Sequence, residues 1–403
     1  MTKLIFVNRY FYPDHSATSQ MLSDLAFALA ENQEFEIHVV TSRQRYDDAM
    51  AALSTEEKIR GVSIHRVWTS RFGRQNLLGR AIDYASFYVT AFVALMRLAD
   101  EFSLIVAKTD PPLISVVAAL VARIKSAKLV NWIQDLFPEV AAALGVKFVR
   151  GPLYDLLKAL RNSSLRSAKI NVVIGELMKQ KLIDVGISED HIRVIHNWAD
   201  GHIRPVPPEE NSLRKEWGLD GKFVVGYSGN LGRSHDFKTI LDTATALNYR
   251  DDIIFLFVGG GANLRWVEHE TKQRGLRNIR FKPYQPRERL SESLSAADVH
   301  LITLRPELEG LIVPSKFYGI AAAGRPILYI GSRAGDLPQT ITRRGLGYVV
   351  TEGDSSTFQN QIIEIAENHK LRLGMGKNAR DQLDRLYNRM IARKAWQSLL
   401  LEQ

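Results

Sequence analysis

The residues KFVVGYSGNLGRSHDFKT, numbered 222–239, decide the fold. A short run rich in valine leads into a glycine-containing loop, and a helical pattern that we predict over residues 235–248 follows it. Val- and Ile-rich strands separated by helices are typical of a parallel sheet that is covered on both faces. The stretch therefore predicts the first strand, loop and helix of an α/β lobe.

The alternation continues on the C-terminal side of this stretch. We predict further strands at IIFLFVGG (253–260), IRFKPY (279–284), DVHLIT (298–303), PILYIG (326–331) and GYVV (347–350). Together they predict a doubly wound lobe over residues 223–380. We assign residues 381–403 to a C-terminal helix, which is long enough to pack back onto either lobe.

The same pattern occurs on the N-terminal side. The predicted strands are LIFVN (4–8), EIHVVTS (36–42), VSIHRVW (62–68), LIVAKTD (104–110), LVNWIQDL (129–136), INVVIG (170–175) and IRVIHNW (192–198). They predict a first lobe at residues 1–200, and residues 201–222 have the Pro-rich, charged composition of a linker. Because ligands bind at the carboxyl ends of open α/β sheets, we predict two Rossmann-like, doubly wound lobes that face a central cleft.

The composition excludes several classes of chemistry. None of the 403 residues is a cysteine, which excludes disulfides, thiolate metal sites and a thiol nucleophile and fits a reducing cytoplasm. Lys and Arg number 53 against 44 Asp and Glu, for a formal net charge of +9. This balance fits nucleic acid, anionic lipid headgroups, anionic small substrates or a basic surface without a specific partner.

The N-terminal apolar run is too brief for a signal peptide. The longest apolar segment, Tyr84 to Met96, has 13 residues against the ~20 that a spanning helix needs, so we predict no transmembrane helix. The cations of a local cluster, Arg71, Arg74 and Arg80, precede it. The segment 71–97 could rest on an anionic membrane surface, or it could be a core helix with a basic edge.

Three loops of the second lobe are candidates for binding a nucleotide. Gly229 and Gly232 let the backbone approach a ligand, and Arg233 offers a fixed positive fork to phosphate oxygens; His235 and Lys238 are weaker candidates. The glycines of FVGGGANL (257–264) could admit a base or ribose. In KPYQP (282–286) the tyrosine could border a nucleobase or belong to the core.

The stretch RPELEGLIVPSKFYGIAAAGRPILYIG, residues 305–331, carries the strongest functional pattern. Ser315 can cap a helix whose first turn contains Lys316. A cation there opposes the helix dipole, which favours anions at the N-terminus. We therefore expect a phosphate opposite Lys316. In the first lobe, NRYFYPDHSATSQ (8–20) is either an acceptor- or phosphate-side loop or an ordinary capped strand–helix turn.

The stretches FYPDHSAT, WIQDLFPE, HNWAD, YSGNLGR and PSKFYGIAAAGRP occur in the order and spacing of a known family. Over essentially its whole length the chain resembles glycosyltransferase family four, of the GT-B fold. It is most similar to the bacterial branch that builds exopolysaccharide, capsule or O-antigen units, which includes colanic-acid and N-acetylfucosamine transferases. The resemblance implies a retaining, hexosyltransferase-like enzyme that takes a UDP- or GDP-sugar. It also implies a saccharide acceptor, linked to a polyprenyl-diphosphate carrier, and no metal or other cofactor.

The resemblance also implies the site residues. At the donor these are Gly229, Asn230, Arg233, Gly259, Tyr284, Gln285, Glu309, Leu311, Ile312, Val313, Ser315 and Lys316; on the acceptor side they are Tyr10, Asp14, Ser16, Thr18 and Asp135. Arg233, Lys316, Glu309 and Asp135 are the candidate catalytic residues. Asp135 could orient or deprotonate the acceptor hydroxyl, or it could be a structural carboxylate.

The chain departs from the family at several of these positions. Gly319 stands where many members have the second glutamate of a pair, and Asn230 and His235 stand where many have Arg and Lys. Two other functions therefore remain open: a nucleotide-sugar epimerase on the same fold, and a non-catalytic subunit that binds sugar nucleotides. Nucleic-acid binding ranks third, and we expect no nucleic-acid partner. We expect a cytoplasmic protein, and a peripheral location on the inner face of the cytoplasmic membrane remains open.

Overall fold

The computed structural model describes residues 1–14, 16–32, 34–46, 48, 50–73, 77–146 and 149–403. The chain forms two units. The first comprises Met1–His196 together with Ala392–Gln403, and the second comprises Asn197–Ile391. Arg74 of the predicted basic cluster lies outside the described residues.

A largely parallel sheet forms the centre of the first unit. Its strands are β1 Thr2–Val7, β2 Phe35–Ser42, β3 Glu56–Ile59, β4 Val62–Val67, β5 Leu104–Lys108, β6 Lys128–Trp132, β7 Ile170–Val173 and β8 Ile192–Val194. The spatial order is β3-β4-β2-β1-β5-β6-β7-β8. The chain reverses its direction of travel across the sheet between β1 and β5, so a ligand site is expected at their carboxyl ends.

Strand β3 is the exception to the predicted parallel sheet. It pairs with β4 in antiparallel register through a tight turn at Arg60 and Gly61, which have φ values of 49° and 84°. Two residues with positive φ fit the type of turn that hairpin twist favours. The sequence EEKI gave no strand signal because this edge strand is solvated and mostly charged.

Helices cover both faces of the first sheet. They are α1 Ala17–Glu31, α2 Leu77–Leu98, α3 Ile114–Lys125, α4 Glu139–Ala143, α5 Gly151–Ser167 and α6 Glu176–Asp184. Phe87, Ala91 and Leu95 of α2 are fully buried in the core. Their spacing of four residues places them on one helix face, so the opposite face of α2 is left to the surface.

The second sheet is parallel in every pairing of the described strands. These are β9 Phe223–Asn230, β10 Ile253–Gly260, β11 Ile279–Lys282, β12 Val299–Thr303, β13 Ile327–Ile330 and β14 Gly347–Val350, in the spatial order β11-β10-β9-β12-β13-β14. The helices are α7 Ser212–Glu216, α8 Lys238–Ala246, α9 Leu264–Gln273, α10 Leu290–Ser295, α11 Lys316–Ala322, α12 Asp336–Arg344, α13 Ser355–Glu367 and α14 His369–Leu386. The order reverses between β9 and β12.

Residues 201–222, predicted as a linker, form an ordered part of the second unit. Asn211 caps α7 by accepting from the backbone N–H groups of Leu213 and Arg214, and Leu213 is fully buried. The buried Arg214 forms an ion pair with Asp298 at 3.1 Å. The flanking prolines and charged residues obscure the apolar pattern of α7, so neither the helix nor these contacts could be predicted from the sequence.

The C-terminal segment also differs from the single helix predicted over 381–403. Helix α14 ends at Leu386, and α15 runs from Arg389 to Leu401. Trp396 of α15 is buried against Trp132 of β6, with ring centres 4.6 Å apart, and Arg393 pairs with Asp24 of α1 at 2.9 Å. The end of α15 is thereby part of the first unit.

Candidate functional site

The carboxyl ends of β9 and β10 come together through glycine. The register pairs Gly229 with Gly259 and Asn230 with Gly260. Gly229 and Gly259 have φ values of 121° and 139°, and a Cβ on Gly259 would lie 2.2 Å from the Gly229 carbonyl oxygen. Only glycine allows this approach. The backbone is therefore exposed to a ligand at the predicted diphosphate loop.

Lys316 lies over this loop although it begins α11, far along the chain. Its ammonium donates to the Asn230 carbonyl at 3.4 Å and to Nε2 of His235 at 3.2 Å. It also lies 4.9 Å from the centre of the Tyr227 ring. Within the described parts of the chain no carboxylate pairs with it. Burial lowers the pKa of Lys316 to about 8.

His235 joins this cluster to the end of β12. Its Nδ1 donates to the Thr303 carbonyl at 2.7 Å, an assignment of the tautomer that follows from the hydrogen-bond network. Nε2 is then a lone-pair acceptor that faces Lys316. Burial, followed by the charge of Lys316, lowers the pKa of His235 to about 3, so the imidazole is neutral at physiological pH.

Tyr284 follows β11 on the other side of the glycine loop. The side chain is 60% exposed, so the alternative that placed it in the core is wrong. Its hydroxyl donates to the Gly260 carbonyl at 3.3 Å. Gln285, beside it, is turned to the Pro283 carbonyl at 3.0 Å. An exposed aromatic ring next to exposed backbone is suited to stacking on a planar group.

Arg233 and Ser315 lie near Lys316 and His235, but among the described residues their side chains have fewer partners. Arg233 is exposed, and among the described residues its guanidinium forms no ion pair. Ser315 precedes α11 without a capping bond from its side chain, since it has helical φ and ψ of −63° and −19°. A capping serine normally has extended backbone angles. Because Arg233 is exposed and forms no ion pair among the described residues, its guanidinium is available to a ligand.

The backbone after Glu309 is only partly open to phosphates. The N–H groups of Leu311 and Ile312 both donate to the Leu308 carbonyl, at 3.0 and 3.3 Å. These two hydrogen bonds close the loop on itself, and the expected role of the Leu311, Ile312 and Val313 backbone at the phosphates stays a prediction. Val313 is half-buried and follows them.

Contacts within the second unit fix the position of the Glu309 carboxylate. The Tyr329 hydroxyl donates to its carboxylate at 2.5 Å. The carboxylate also lies against Gly335, the residue before α12, where a Cβ would meet an oxygen at 2.2 Å. Burial raises the pKa of Glu309. Neither Tyr329 nor Gly335 was expected from the sequence, because their contact with Glu309 depends on the tertiary fold.

At the corresponding reversal point of the first unit, a buried arginine organises the carboxyl ends of the strands. The Arg9 backbone donates to the Asp110 carbonyl at 2.5 Å. Its guanidinium lies 5.3 and 5.1 Å from the ring centres of Tyr10 and Tyr84 and 3.5 Å from Asp83. Arg9 was not among the predicted site residues. Its position directly after the first strand was the available signal.

The predicted acceptor-side loop is held by Asp14. Its carboxylate accepts from the backbone of Ser16 at 2.8 Å and from the backbone of Tyr46. Ser16 precedes α1 without a capping bond from its side chain, and Thr18 is half-buried in the first turn. Asp14 therefore shapes the loop. Tyr10 is almost completely buried.

Asp135 follows β6 in a desolvated position. Its Oδ1 is buried, and the described residues give it no partner. Burial, and next the charge of Asp110, raise the pKa of Asp135 to about 6, against the effect of a hydrogen bond with Thr109. A carboxyl group with a pKa near neutrality is a candidate general base.

The outward face of α2 is apolar. Leu78, Ile82, Val89 and Val93 are exposed at helical spacing. Residues Leu78–Leu98 are long and apolar enough to cross a membrane by length and composition alone, with 22% of the window buried. The apolar helix is thus longer than the 13-residue segment seen in the sequence. The core helix of a soluble protein can pass the same test.

The described residues contain no group of three His, Asp or Glu side chains placed to hold a metal ion.

Two family models cover most of the chain. The description "Glycosyl transferase 4-like domain" matches residues 17–198, and "Glycosyl transferases group 1" matches residues 209–382. A probable glycosyltransferase of Pseudomonas aeruginosa, WbjE, is 30% identical over 304 residues, or 74% of each chain. The putative colanic acid biosynthesis glycosyl transferase WcaI of Escherichia coli is 30% identical over 213 residues, or 51% of each chain.

Solved structures confirm the predicted GT-B fold. Anabaena HepE, in complex with UDP and glucose, superposes with a TM-score of 0.76 at 17% identity, covering 100% of both chains. Sucrose-phosphate synthase of Thermosynechococcus elongatus superposes at 0.77 with 15% identity, covering 100% of this chain and 99% of that one. The two family models and the relative WbjE show that the chain belongs to the group 1 glycosyltransferases, with a 4-like first domain.

Proposed function

We propose that this glycosyltransferase takes its sugar from a UDP- or GDP-sugar and uses it in exopolysaccharide, capsule or O-antigen synthesis. The observation that carries the proposal is the Lys316 ammonium. It is held by a carbonyl, a neutral imidazole and an aromatic ring. A desolvated cation without a carboxylate partner is a site for an anion. The UDP complex of HepE and the colanic-acid description of WcaI support the assignment.

In this proposal Lys316 and Arg233 stabilise the charge that develops on the departing diphosphate. Preorganised donors of this kind contribute about 10²–10³ in rate each. Tyr284 stacks on the base beside the glycine loop. We propose that the transfer runs without a metal, since two cations meet the diphosphate, and that Glu309 orients the donor sugar. Retention at the anomeric carbon is proposed from the family resemblance, and NMR of the product tests it.

We propose that the acceptor, a saccharide on a lipid diphosphate carrier, binds at the carboxyl ends of β1, β5 and β6. The raised pKa of Asp135 supports a role in accepting the proton of the attacking hydroxyl. Arg9 is too deeply buried to reach a ligand freely. It positions the surrounding aromatic side chains instead.

We further propose a peripheral location on the inner face of the membrane. The apolar outward face of α2 and the exposed Arg71 support it. Helices α3 and α5 add further exposed apolar side chains: Leu120, Ile124, Leu153, Leu156 and Leu160. Co-sedimentation with anionic vesicles, which Val89→Glu should weaken, tests this. A wild-type protein that stays in solution with such vesicles at low salt rejects the membrane location.

Donor binding is tested by thermal shift with UDP-, GDP- and dTDP-sugars. Lys316→Ala should abolish the shift. Lys377→Ala is the matched control, because this exposed lysine on α14 pairs with Asp381 at 2.7 Å and is not a candidate for the donor site. No shift with any sugar nucleotide, or equal shifts for both variants, contradicts the proposed donor site. Sugar release that needs no acceptor would favour an epimerase.

A further inference from the structure

The Lys316 ammonium has a side-chain hydrogen-bond partner, His235, which ranks only as a weaker candidate for contact with the donor. Its two polar partners are the Asn230 carbonyl at 3.4 Å and His235 Nε2 at 3.2 Å. The shorter of these contacts is with the imidazole. A lysine side chain has four rotatable bonds, so without this acceptor the ammonium keeps only the longer contact with the Asn230 carbonyl and the contact with the Tyr227 ring.

The imidazole is itself fixed at its other nitrogen. The Thr303 carbonyl accepts from Nδ1 at 2.7 Å, so only Nε2 can accept from Lys316. The ring also meets Tyr227 and Phe237 edge to face. The adjacent Asp236 carboxylate is turned away, toward the backbone of Lys238 and Thr239. Among the described residues, the groups that contact the pair are therefore neutral.

We propose that His235 is a positioning residue, whose Nε2 accepts a hydrogen bond from Lys316 and holds the ammonium in place for the diphosphate. This inference rests on the proposed donor site and adds that donor affinity is linked to one proton on Lys316. The Thr303 carbonyl determines the tautomer, and the tautomer determines the direction of the hydrogen bond.

The linkage has a definite sign. Binding a diphosphate stabilises the charged lysine, so affinity is complete below the pKa of free Lys316, about 8, and declines as the pH rises through it. For one group with that pKa, affinity at pH 9 should be roughly 10-fold weaker than at pH 7. His235 remains neutral across this range because its own pKa lies near 3.

The experiment is calorimetric titration of UDP, and in parallel GDP, into the full chain between pH 6.5 and about 9.5. His235→Asn can keep the donor to Thr303 but lacks an atom at the Nε2 position. His235→Gln can place an acceptor near that position. His269→Asn is the control, since His269 is exposed on α9.

We expect His235→Asn to bind roughly 10-fold more weakly at pH 7, with its affinity lost at a lower pH than in the wild type. His235→Gln should restore most of the affinity at pH 7 and should return the pH at which affinity is lost close to that of the wild type. Lys316→Ala should bind weakly and without pH dependence. If His235→Asn matches the wild type in affinity and midpoint, or its midpoint rises, the positioning role is wrong.

The two proposals fail differently. If Lys316→Ala weakens binding and His235→Asn does not, the donor site survives and the role of His235 is rejected. If Lys316→Ala has no effect, or neither nucleotide binds the wild type, both are rejected. A melting temperature for each variant separates these outcomes from misfolding.

Discussion

Replacing Asp135 by asparagine should make the protein more stable and less active at neutral pH. In the folded chain, burial and the nearby Asp110 raise the pKa of Asp135 from 3.8 to about 6. Keeping the carboxylate ionised at pH 7 therefore costs about 3 kcal/mol, at 1.36 kcal/mol for each pKa unit. Asparagine has nearly the same shape and carries no charge.

The sign follows from linkage. The pKa of Asp135 is higher in the folded than in the unfolded protein, so folding favours the protonated carboxyl. The wild type therefore has its full stability below about pH 4 and loses part of it as the pH rises through about 6. Asp135→Asn should thus gain up to about 3 kcal/mol over the wild type at pH 7 and almost nothing at pH 4. Urea unfolding at both pH values measures the difference.

Activity supplies the second readout. If the ionised carboxylate is required, the wild-type rate at pH 5 should be about 10-fold below its plateau, and the variant should be slow at every pH. Asp155→Asn, on the exposed part of α5, is the control. A variant that is less stable at pH 7 than the wild type would refute the argument, since it would mean that Asp135 is favourably ionised.

Three other substitutions test packing and orientation. Gly259→Ala should lower the free energy of unfolding by at least about 2 kcal/mol and should abolish nucleotide binding. Gly275 has positive φ but open space around it, so Gly275→Ala should lower that free energy by only about 1 kcal/mol. Urea unfolding midpoints compare the two variants. Trp396→Ala should lose about 3–5 kcal/mol in urea unfolding, and the half-exposed Trp266 should lose much less on the same change. Tyr329→Phe removes a hydrogen bond that lowers the pKa of Glu309, so the acid limb of the pH–rate profile should move to higher pH than in the wild type.

The sequence predicted most strands of both sheets because parallel strands are continuous apolar runs. It failed at β3 and α7 for opposite reasons. The edge strand β3 is charged and solvated, and α7 is short and carries its apolar residues between prolines and charges. Periodicity detects neither, whereas the contacts that stabilise them, such as Arg214 with Asp298, are distant in sequence.

The candidate site shows the same division. The glycines after β9 and β10 and the lysine after Pro314 were visible because each departs from local expectation. The contact between Lys316 and His235 was not, because it joins residues 81 positions apart. The position of Glu309 against Tyr329 likewise depends on how β13 and α12 pack. Sequence identified the chemical groups, and only the tertiary fold shows which of them meet.

Because α15 ends in the first unit, that unit is discontinuous in the chain. Trp132 is synthesised early, but Trp396 becomes available only after the whole second unit has been translated. Translation adds about 5–20 residues per second, so the core of the first unit remains incomplete for many seconds while the second unit is synthesised. We expect chains truncated at residue 391 to engage chaperones through the uncovered Trp132.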